Sequence, residues 1–119
     1  MELIIFDVQK HKIAEIISEG IVINNAQDAL DIMANAGYQG ARSIILYEKN
    51  LRPEFFELQT GMAGEILQKF SNYRVKIAII GEFEKYKSKS LKAFIVESNR
   101  GNLVFFVPDK DTAIARIMS

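Results

Sequence analysis

The chain contains no cysteine and a single histidine, His11. The missing thiols exclude disulfide bonds, thiol catalysis and thiolate metal sites. His11 falls in a predicted hairpin turn and no G-x-S-x-G sequence is present, so a Ser-His-Asp hydrolase lacks its usual parts. Carboxylates are the remaining metal ligands, and pairs such as Asp28 and Asp31 have the spacing of a solvated helix face. The sequence therefore predicts neither a cofactor nor a metal site.

Net charge, phosphate-binding loops and long apolar runs are also lacking. Lys plus Arg and Asp plus Glu number 15 each, so no overall field attracts nucleic acid or an anionic membrane. Neither G-x-x-x-x-G-K-S/T nor G-x-G-x-x-G occurs. No run approaches the roughly 18 apolar residues of a membrane span, and the opening MELIIFDVQK is too briefly apolar for a signal peptide. We expect a cytoplasmic protein that binds neither nucleic acid nor membrane.

What the chain does have is the periodicity of a single α/β domain spanning residues 1–119. Apolar residues make up 49% of the sequence, which is enough for one core. Apolar and β-branched runs predict strands at 3–8, 12–17, 21–23, 43–47, 75–80 and 103–107. Helical spacing in the segments between them predicts about four helices. The β-β-β-α-β-α-β-α-β-α order indicates a mixed, mostly parallel sheet with an N-terminal antiparallel hairpin.

Local signals mark where these helices begin and end. Short polar side chains that accept backbone N–H groups predict three N-caps, namely Asn25, Ser88 or Ser90, and Asp109. Glycines predict the helix ends, at Gly37 or Gly40 for the first helix and at a left-handed Gly101 for the third.

The stretch TGMAG, residues 60–64, carries the clearest functional signal. Gly61 and Gly64 interrupt an apolar repeat at helical spacing between Pro53 and Tyr73, although each costs about 1 kcal/mol relative to alanine. We predict that a short helix breaks near Thr60 and that a second begins there, with Thr60 as its N-cap. The glycines then either pack the helix closely on the sheet or belong to an exposed hydroxyl site at a positive helix end, where a phosphoryl group is tolerated.

Polar residues near the element ends form a second candidate site. Ligands of open α/β sheets bind beyond the carboxyl ends of the strands. The strand ends there are expected to bring Tyr47, Glu48, Gly81, Glu82 and Pro108 together. The same edge is expected to be within reach of Asn72, Tyr73, Arg74, Asn99 and Arg100. The candidate ligand or partner contacts are Glu48, Asn50, Asn72, Tyr73, Arg74, Glu97, Asn99 and Arg100. The basic run EKYKSKSLK, residues 84–92, is either a further contact for an acidic partner or a solvated helix entry.

Nearly the whole chain closely resembles the bacterial domain-of-unknown-function family DUF 4180, and its most specific segments are LQTGMAGEILQKF, NYR and ESNRG. That family carries no established activity. The order of elements also resembles the STAS domains of anti-sigma factor antagonists, the SpoIIAA-like fold. In those domains a kinase-like partner phosphorylates a serine in a D-S-S-G-like turn that opens a helix, and this switches binding. The resemblance implies Thr60 at the serine and Gly61 at the glycine, with Leu58 in place of the aspartate and PEFFE as extra residues.

These patterns favour a non-enzymatic regulatory or protein-interaction domain of STAS-like type, switched at Thr60, Gly61 and Gly64. A protein partner is expected, although the sequence does not name it. The alternative is a small-ligand-binding module, or an unrecognised enzyme, with its pocket at the carboxyl edge of the sheet. A homodimer formed through an exposed edge strand of the opening hairpin is compatible with either function.

Overall fold

A computed structural model describes all residues, 1–119. Its five strands are β1 (Glu2–Val8), β2 (His11–Ile17), β3 (Ser43–Tyr47), β4 (Lys76–Ile80) and β5 (Val104–Val107). Its four α-helices are α1 (Ala26–Tyr38), α2 (Met62–Tyr73), α3 (Lys89–Arg100) and α4 (Lys110–Met118). Short 3-10 turns at Glu48–Asn50, Pro53–Phe56, Leu58–Thr60 and Phe83–Lys85 fill the connections.

The strands form one sheet in the order β1-β2-β3-β4-β5. β1 and β2 pair antiparallel around a tight turn, where Gln9 and Lys10 take positive φ angles of 48° and 72°. All other neighbours pair in parallel. The predicted fold class, a mixed and mostly parallel sheet with an N-terminal hairpin, is confirmed.

The two faces of the sheet are covered unequally. Alternate residues of the central strands, such as Ile44 and Ile77, pack with α1, α2 and α3 in a core cluster of 21 buried residues. Their neighbours Ile45 and Ala78 point the other way and pack with α4 in a cluster of 8 buried residues. Strands that are buried on both faces read as continuous apolar runs, which is why SIILY and KIAII contain so few polar residues.

The predicted strand at 21–23 is wrong. Only Ile23 makes a bridge, an isolated parallel one with Leu51. The N–H groups of Val22 and Ile23 both bond to the carbonyl of Asn50. β2 already has β1 and β3 as neighbours, so no sheet edge is left beside it and the segment becomes a link to α1.

The N-caps predicted for α1, α3 and α4 are confirmed, whereas one predicted helix end is wrong. Asn25, Ser88 and Asp109 accept the N–H groups of Asp28, Leu91 and Thr112 respectively. Gly101 is extended, with φ −85° and ψ −164°, and is not a left-handed cap. Left-handed residues follow two other helices: Gly40, with φ 91°, comes after α1, and Arg74, with φ 55°, closes α2.

The order of the elements places different segments at the two edges of the sheet. β2, β3, β4 and β5 each lead into the next helix, so the starts of the four helices gather at the carboxyl edge. The helix ends and the strand starts lie at the opposite, amino edge. No helix has the length and apolar character needed to cross a membrane.

Candidate functional site

The start of α2 has the break that the sequence predicts. A 3-10 turn over Leu58–Thr60 stops at Gly61, and the α-helix begins at Met62. Gly61 has φ +78°, in the left-handed region that glycine enters without a Cβ penalty. The backbone conformation of the turn therefore explains Gly61.

Thr60 is exposed at this turn, and its hydroxyl is bonded to the backbone. Thr60 Oγ1 lies 2.8 Å from the carbonyl oxygen of Glu57 and 2.9 Å from that of Glu54. The two carbonyl oxygens share the single hydroxyl proton. Thr60 Oγ1 also accepts the N–H of Met62 at 3.2 Å. The predicted N-cap position is wrong by one residue, because Gly61 occupies it. The hydroxyl nevertheless accepts from the first N–H of α2.

Gly64 has no packing role within the fold. It is exposed, and a Cβ built on it meets no atom within 4 Å. Close packing of this glycine against the sheet, one of the two alternatives from the sequence, is wrong. Its neighbours Ala63, Ile66 and Leu67 are the buried residues of that part of α2.

A shallow depression of about 560 Å³ adjoins these glycines. It lies between the first residue of α1 and the outward face of α2. The residues that line it are Ala26, Gly61, Gly64, Glu65, Gln68 and Lys69. The two helix starts contribute the small residues Ala26, Gly61 and Gly64, and the longer side chains Glu65 and Lys69 give one negative and one positive charge.

A second group of interactions surrounds Glu48, just beyond β3. Its carboxylate accepts the hydroxyl of Tyr86 and lies 2.8 Å from Lys85 Nζ. Burial, followed by the bond to Glu48, raises the pKa of Tyr86 well above its ordinary range. Gly81 is needed beside them, because a Cβ there would lie 2.7 Å from Glu48 Oε1. Glu48 therefore ties the end of β3 to the segment that enters α3.

A cleft of about 530 Å³ adjoins this group at the carboxyl edge. Gly81, Glu82 and Pro108 line it, as the sequence predicts for strand-end residues, together with Glu84, Lys85 and apolar side chains. Tyr47 and Glu48 do not line it. Lys85 is held by Glu48, so the cleft's other ionic groups are the exposed carboxylates of Glu82 and Glu84.

Sequence reasoning missed a buried polar group on the α4 face of the sheet. Glu15 is 5% exposed. It accepts the hydroxyl of Tyr47 at 2.7 Å and pairs with Lys110 Nζ at 2.8 Å. Burial first, and then the bond to Glu15, raises the pKa of Tyr47 to about 12. The one available signal was a glutamate inside the apolar strand HKIAEII.

Comparison with known proteins confirms the family resemblance that the sequence suggested. The family model described as "Domain of unknown function (DUF4180)" matches residues 8–117. The chain belongs to this family. No curated protein and no solved structure matches it.

In this DUF4180 chain the remaining predicted contacts do not come together at the carboxyl edge. Asn72, Tyr73 and Arg74 end α2 and so lie at the amino edge, which contradicts the expected placement. Arg100 ends α3 and pairs at 2.7 Å with Glu97, and both side chains are exposed. These residues were placed at the wrong edge for one reason. A helix that precedes a parallel strand ends near the start of that strand, and strand starts lie at the amino edge.

Two predicted contacts prove to be structural. Asn50 is fully buried, accepts the N–H of Tyr47, and donates to the carbonyls of Ser18 and Gly20, so it is not available to a partner. Asn99 exchanges two hydrogen bonds with the backbone of Phe106 in β5.

The residues of the basic run at 84–92 make different contacts. Lys85 pairs with Glu48, and Ser88 caps α3. Lys87, Lys89 and Lys92 are exposed. No group of three or more His, Asp or Glu side chains is placed to hold a metal ion.

Proposed function

We propose that this domain is a non-enzymatic regulatory module that binds a protein partner on the exposed start of α2. The α2 docking surface, as we name it, comprises Ala26, Gly61, Gly64, Glu65 and Gln68. The observation that carries the proposal is Gly64. A glycine in an exposed helix position costs up to about 1 kcal/mol relative to alanine, and nothing inside the fold requires it, since a Cβ there meets open space.

A close approach from outside the chain explains that glycine. Without a Cβ, the backbone of another protein can cross α2 at Gly64 in contact distance. Ala26 and Gly61 keep the rest of the depression free of bulky side chains. The expected occupant is therefore a helix or loop of a partner protein that packs through small residues, flanked by polar contacts with Glu65 and Gln68.

Thr60 supports a switch at the rim of this surface. It is exposed, next to Gly61 and at the positive end of α2. A phosphoryl group would add about −1.5 to −2 charges and would lie near the N–H of Met62. It would repel an acidic partner surface, and an apolar partner surface could cover it only at the cost of removing its hydration. The resemblance to STAS domains implies the same device, a phosphorylated hydroxyl in a turn that opens a helix.

Gly64→Ala tests the docking surface against a matched control. Gly37→Ala makes the same change in α1, where a Cβ also meets no atom within 4 Å. Both variants are expected to be as stable as wild type, or more stable by up to about 1 kcal/mol. In affinity capture from the source lysate, wild type and Gly37→Ala should retain a common partner that Gly64→Ala loses. Identical captures by all three baits would contradict the docking surface.

Thr60→Glu and Thr60→Gln separate charge from the lost hydroxyl. Both variants remove the bonds to Glu57 and Met62, so both should be destabilised by about 1 kcal/mol. Only the glutamate adds a negative charge beside the α2 docking surface. We expect Thr60→Glu to weaken partner capture and Thr60→Gln to retain it. If both variants behave alike, charge at Thr60 does not control binding.

The cleft at the carboxyl edge supports a second candidate, a small-ligand-binding module. Its volume of about 530 Å³ suits a small molecule. The carboxylates of Glu82 and Glu84 favour a cationic ligand. An amine that raises the melting temperature of wild type, but not of Glu82→Gln, would favour this function over the docking surface.

A further inference from the structure

The amino edge of the sheet holds a basic depression. His11 opens β2, Arg42 precedes β3, Arg74 ends α2 and Lys76 opens β4. Parallel pairing sets Ser43 beside both Ile13 and Lys76, which brings these distant segments together. The four basic residues line a depression of about 390 Å³ with Ser43 and the last residues of α4, and no acidic side chain lines it.

The charge in this depression is not neutralised by the fold. The ion pairs of the chain use other basic residues, namely Lys12, Lys49, Arg52, Lys85, Arg100 and Lys110. Lys76 is half-buried and its Nζ donates to the carbonyl of Ile117 at 2.8 Å, which fixes its position. The guanidinium groups of Arg42 and Arg74 are exposed and free to bind a ligand. A depression lined by two arginines and a lysine, and by no Asp or Glu side chain, attracts an anion.

Arg74 gives an independent reason to regard the depression as a site. Its backbone is left-handed, with φ 55° and ψ 44°. Helices that end this way usually place glycine or asparagine there, because other residues pay a steric penalty of roughly 1–2 kcal/mol. The positive charge of Arg74 offsets part of this penalty at the negative end of α2, and its exposed side chain lines the depression.

We propose that this depression binds the phosphate group of a small phosphorylated molecule. Two arginines provide planar, paired N–H donors that match phosphate oxygens, and Lys76 adds a fixed positive charge. The volume falls in the range of about 300–1,000 Å³ typical of small-ligand sites. The zero net charge of the chain argues against a long nucleic acid, which needs an extended basic surface. The depression is separate from the α2 docking surface, because it lies at the other edge of the sheet.

The test is a titration followed by ¹H–¹⁵N NMR at constant ionic strength. The probes are inorganic phosphate, phenyl phosphate and a short single-stranded oligonucleotide. We expect the two small phosphates to give saturable shifts at residues 42–43 and 74–76. Arg42→Gln and Arg74→Gly should each weaken their binding by about tenfold or more. Glycine adopts the left-handed conformation freely, so Arg74→Gly is expected to fold at least as well as wild type.

Lys87→Gln is the matched control. It removes one exposed positive charge at the entry to α3, which lies at the carboxyl edge of the sheet and not at the amino edge. It should change phosphate binding by less than about twofold. The proposal is overturned if neither small phosphate gives saturable shifts, or if the two arginine variants bind as wild type does. A clear preference for the oligonucleotide, with shifts spread beyond the depression, would also overturn it in favour of a nucleic-acid surface.

Discussion

Tyr47 illustrates how far a single side chain can be understood from the sequence. Its place at the end of an apolar strand was predictable from SIILY alone. Its bond to Glu15 was not, because the two residues are 32 positions apart and meet only when β2 and β3 pair. The same applies to Lys110, which reaches Glu15 from α4. For these residues the strand was visible in the local sequence, while the polar partners depend on the tertiary structure.

The pKa of Tyr47 leads to a prediction for alkaline pH. Its rise from 10.0 to about 12 means that the folded state holds the phenol proton more tightly than the unfolded state does. The resulting stability is fully present below pH 10 and is lost as the pH rises toward 12. Tyr47→Phe should lower the free energy of unfolding near neutral pH by about 1–3 kcal/mol, since Glu15 loses a buried hydrogen bond. Between pH 10 and 12 the free energy of unfolding of Tyr47→Phe should fall less steeply than that of wild type.

Urea unfolding at several alkaline pH values measures both effects. Tyr38→Phe serves as the control, because that side chain is 86% exposed. It should leave the stability and its decline with pH unchanged. Parallel pH profiles for wild type and Tyr47→Phe would contradict the assigned role of the Tyr47–Glu15 bond.

The elements show which parts of the fold follow from local sequence. Helix starts at Asn25, Ser88 and Asp109 were predictable because a cap and its N–H partner lie three residues apart. The short segment at 21–23 was mistaken for a strand because it is apolar. The sequence does not show that β1 and β3 already occupy both sides of β2, which leaves no sheet edge for a further strand there. The exposure of Thr60 and Gly64 likewise depended on how α2 rotates onto the sheet.

The edge strand β5 is protected by a helix side chain. Asn99 accepts the N–H of Phe106 at 2.8 Å and donates to its carbonyl at 3.1 Å, so both outward backbone groups are satisfied. Removing the amide leaves them without these partners. We predict that Asn99→Ala lowers the free energy of unfolding by about 1–3 kcal/mol.

Chemical denaturation with Asn35→Ala as the control tests this prediction. Asn35 also lies on a helix, is exposed and bonds only to the side chain of Gln39, the residue that follows α1. Its replacement should change the free energy of unfolding by about 0.5 kcal/mol or less. Equal effects of the two substitutions would show that the amide of Asn99 does not stabilise the edge of β5.

The molecule as a whole has one edge strand without such protection. β1 lies at the other end of the sheet, and Ile4 on it is 44% exposed. Homodimerisation through β1 therefore remains our prediction, since unpaired edge groups are a template for strand addition. Ile4→Lys should shift the protein toward the monomer in light scattering, because a lysine on an edge strand opposes the addition of a further strand. Ile21→Lys, at a position 45% exposed but outside the sheet, should not. A wild type that stays monomeric at every concentration would exclude this dimer.

The two edges of the sheet divide the proposed functions of the whole domain. The carboxyl edge carries the exposed start of α2 with Thr60 and Gly64, and the amino edge carries the basic depression around Arg42 and Arg74. The sequence predicted the first region from its glycines. It did not predict the second, whose lining residues are scattered from position 11 to position 119.

Site-specific photo-crosslinking in living cells tests the central claim, a protein partner on α2, most directly. A photoreactive residue at position 68 lies on the α2 docking surface, and one at position 115 lies on an exposed part of α4, on the other face of the sheet. We predict a discrete protein adduct from position 68 that disappears when Gly64→Ala is added, and none from position 115. No adduct at position 68, or the same adduct from both positions, would contradict a partner bound at the start of α2.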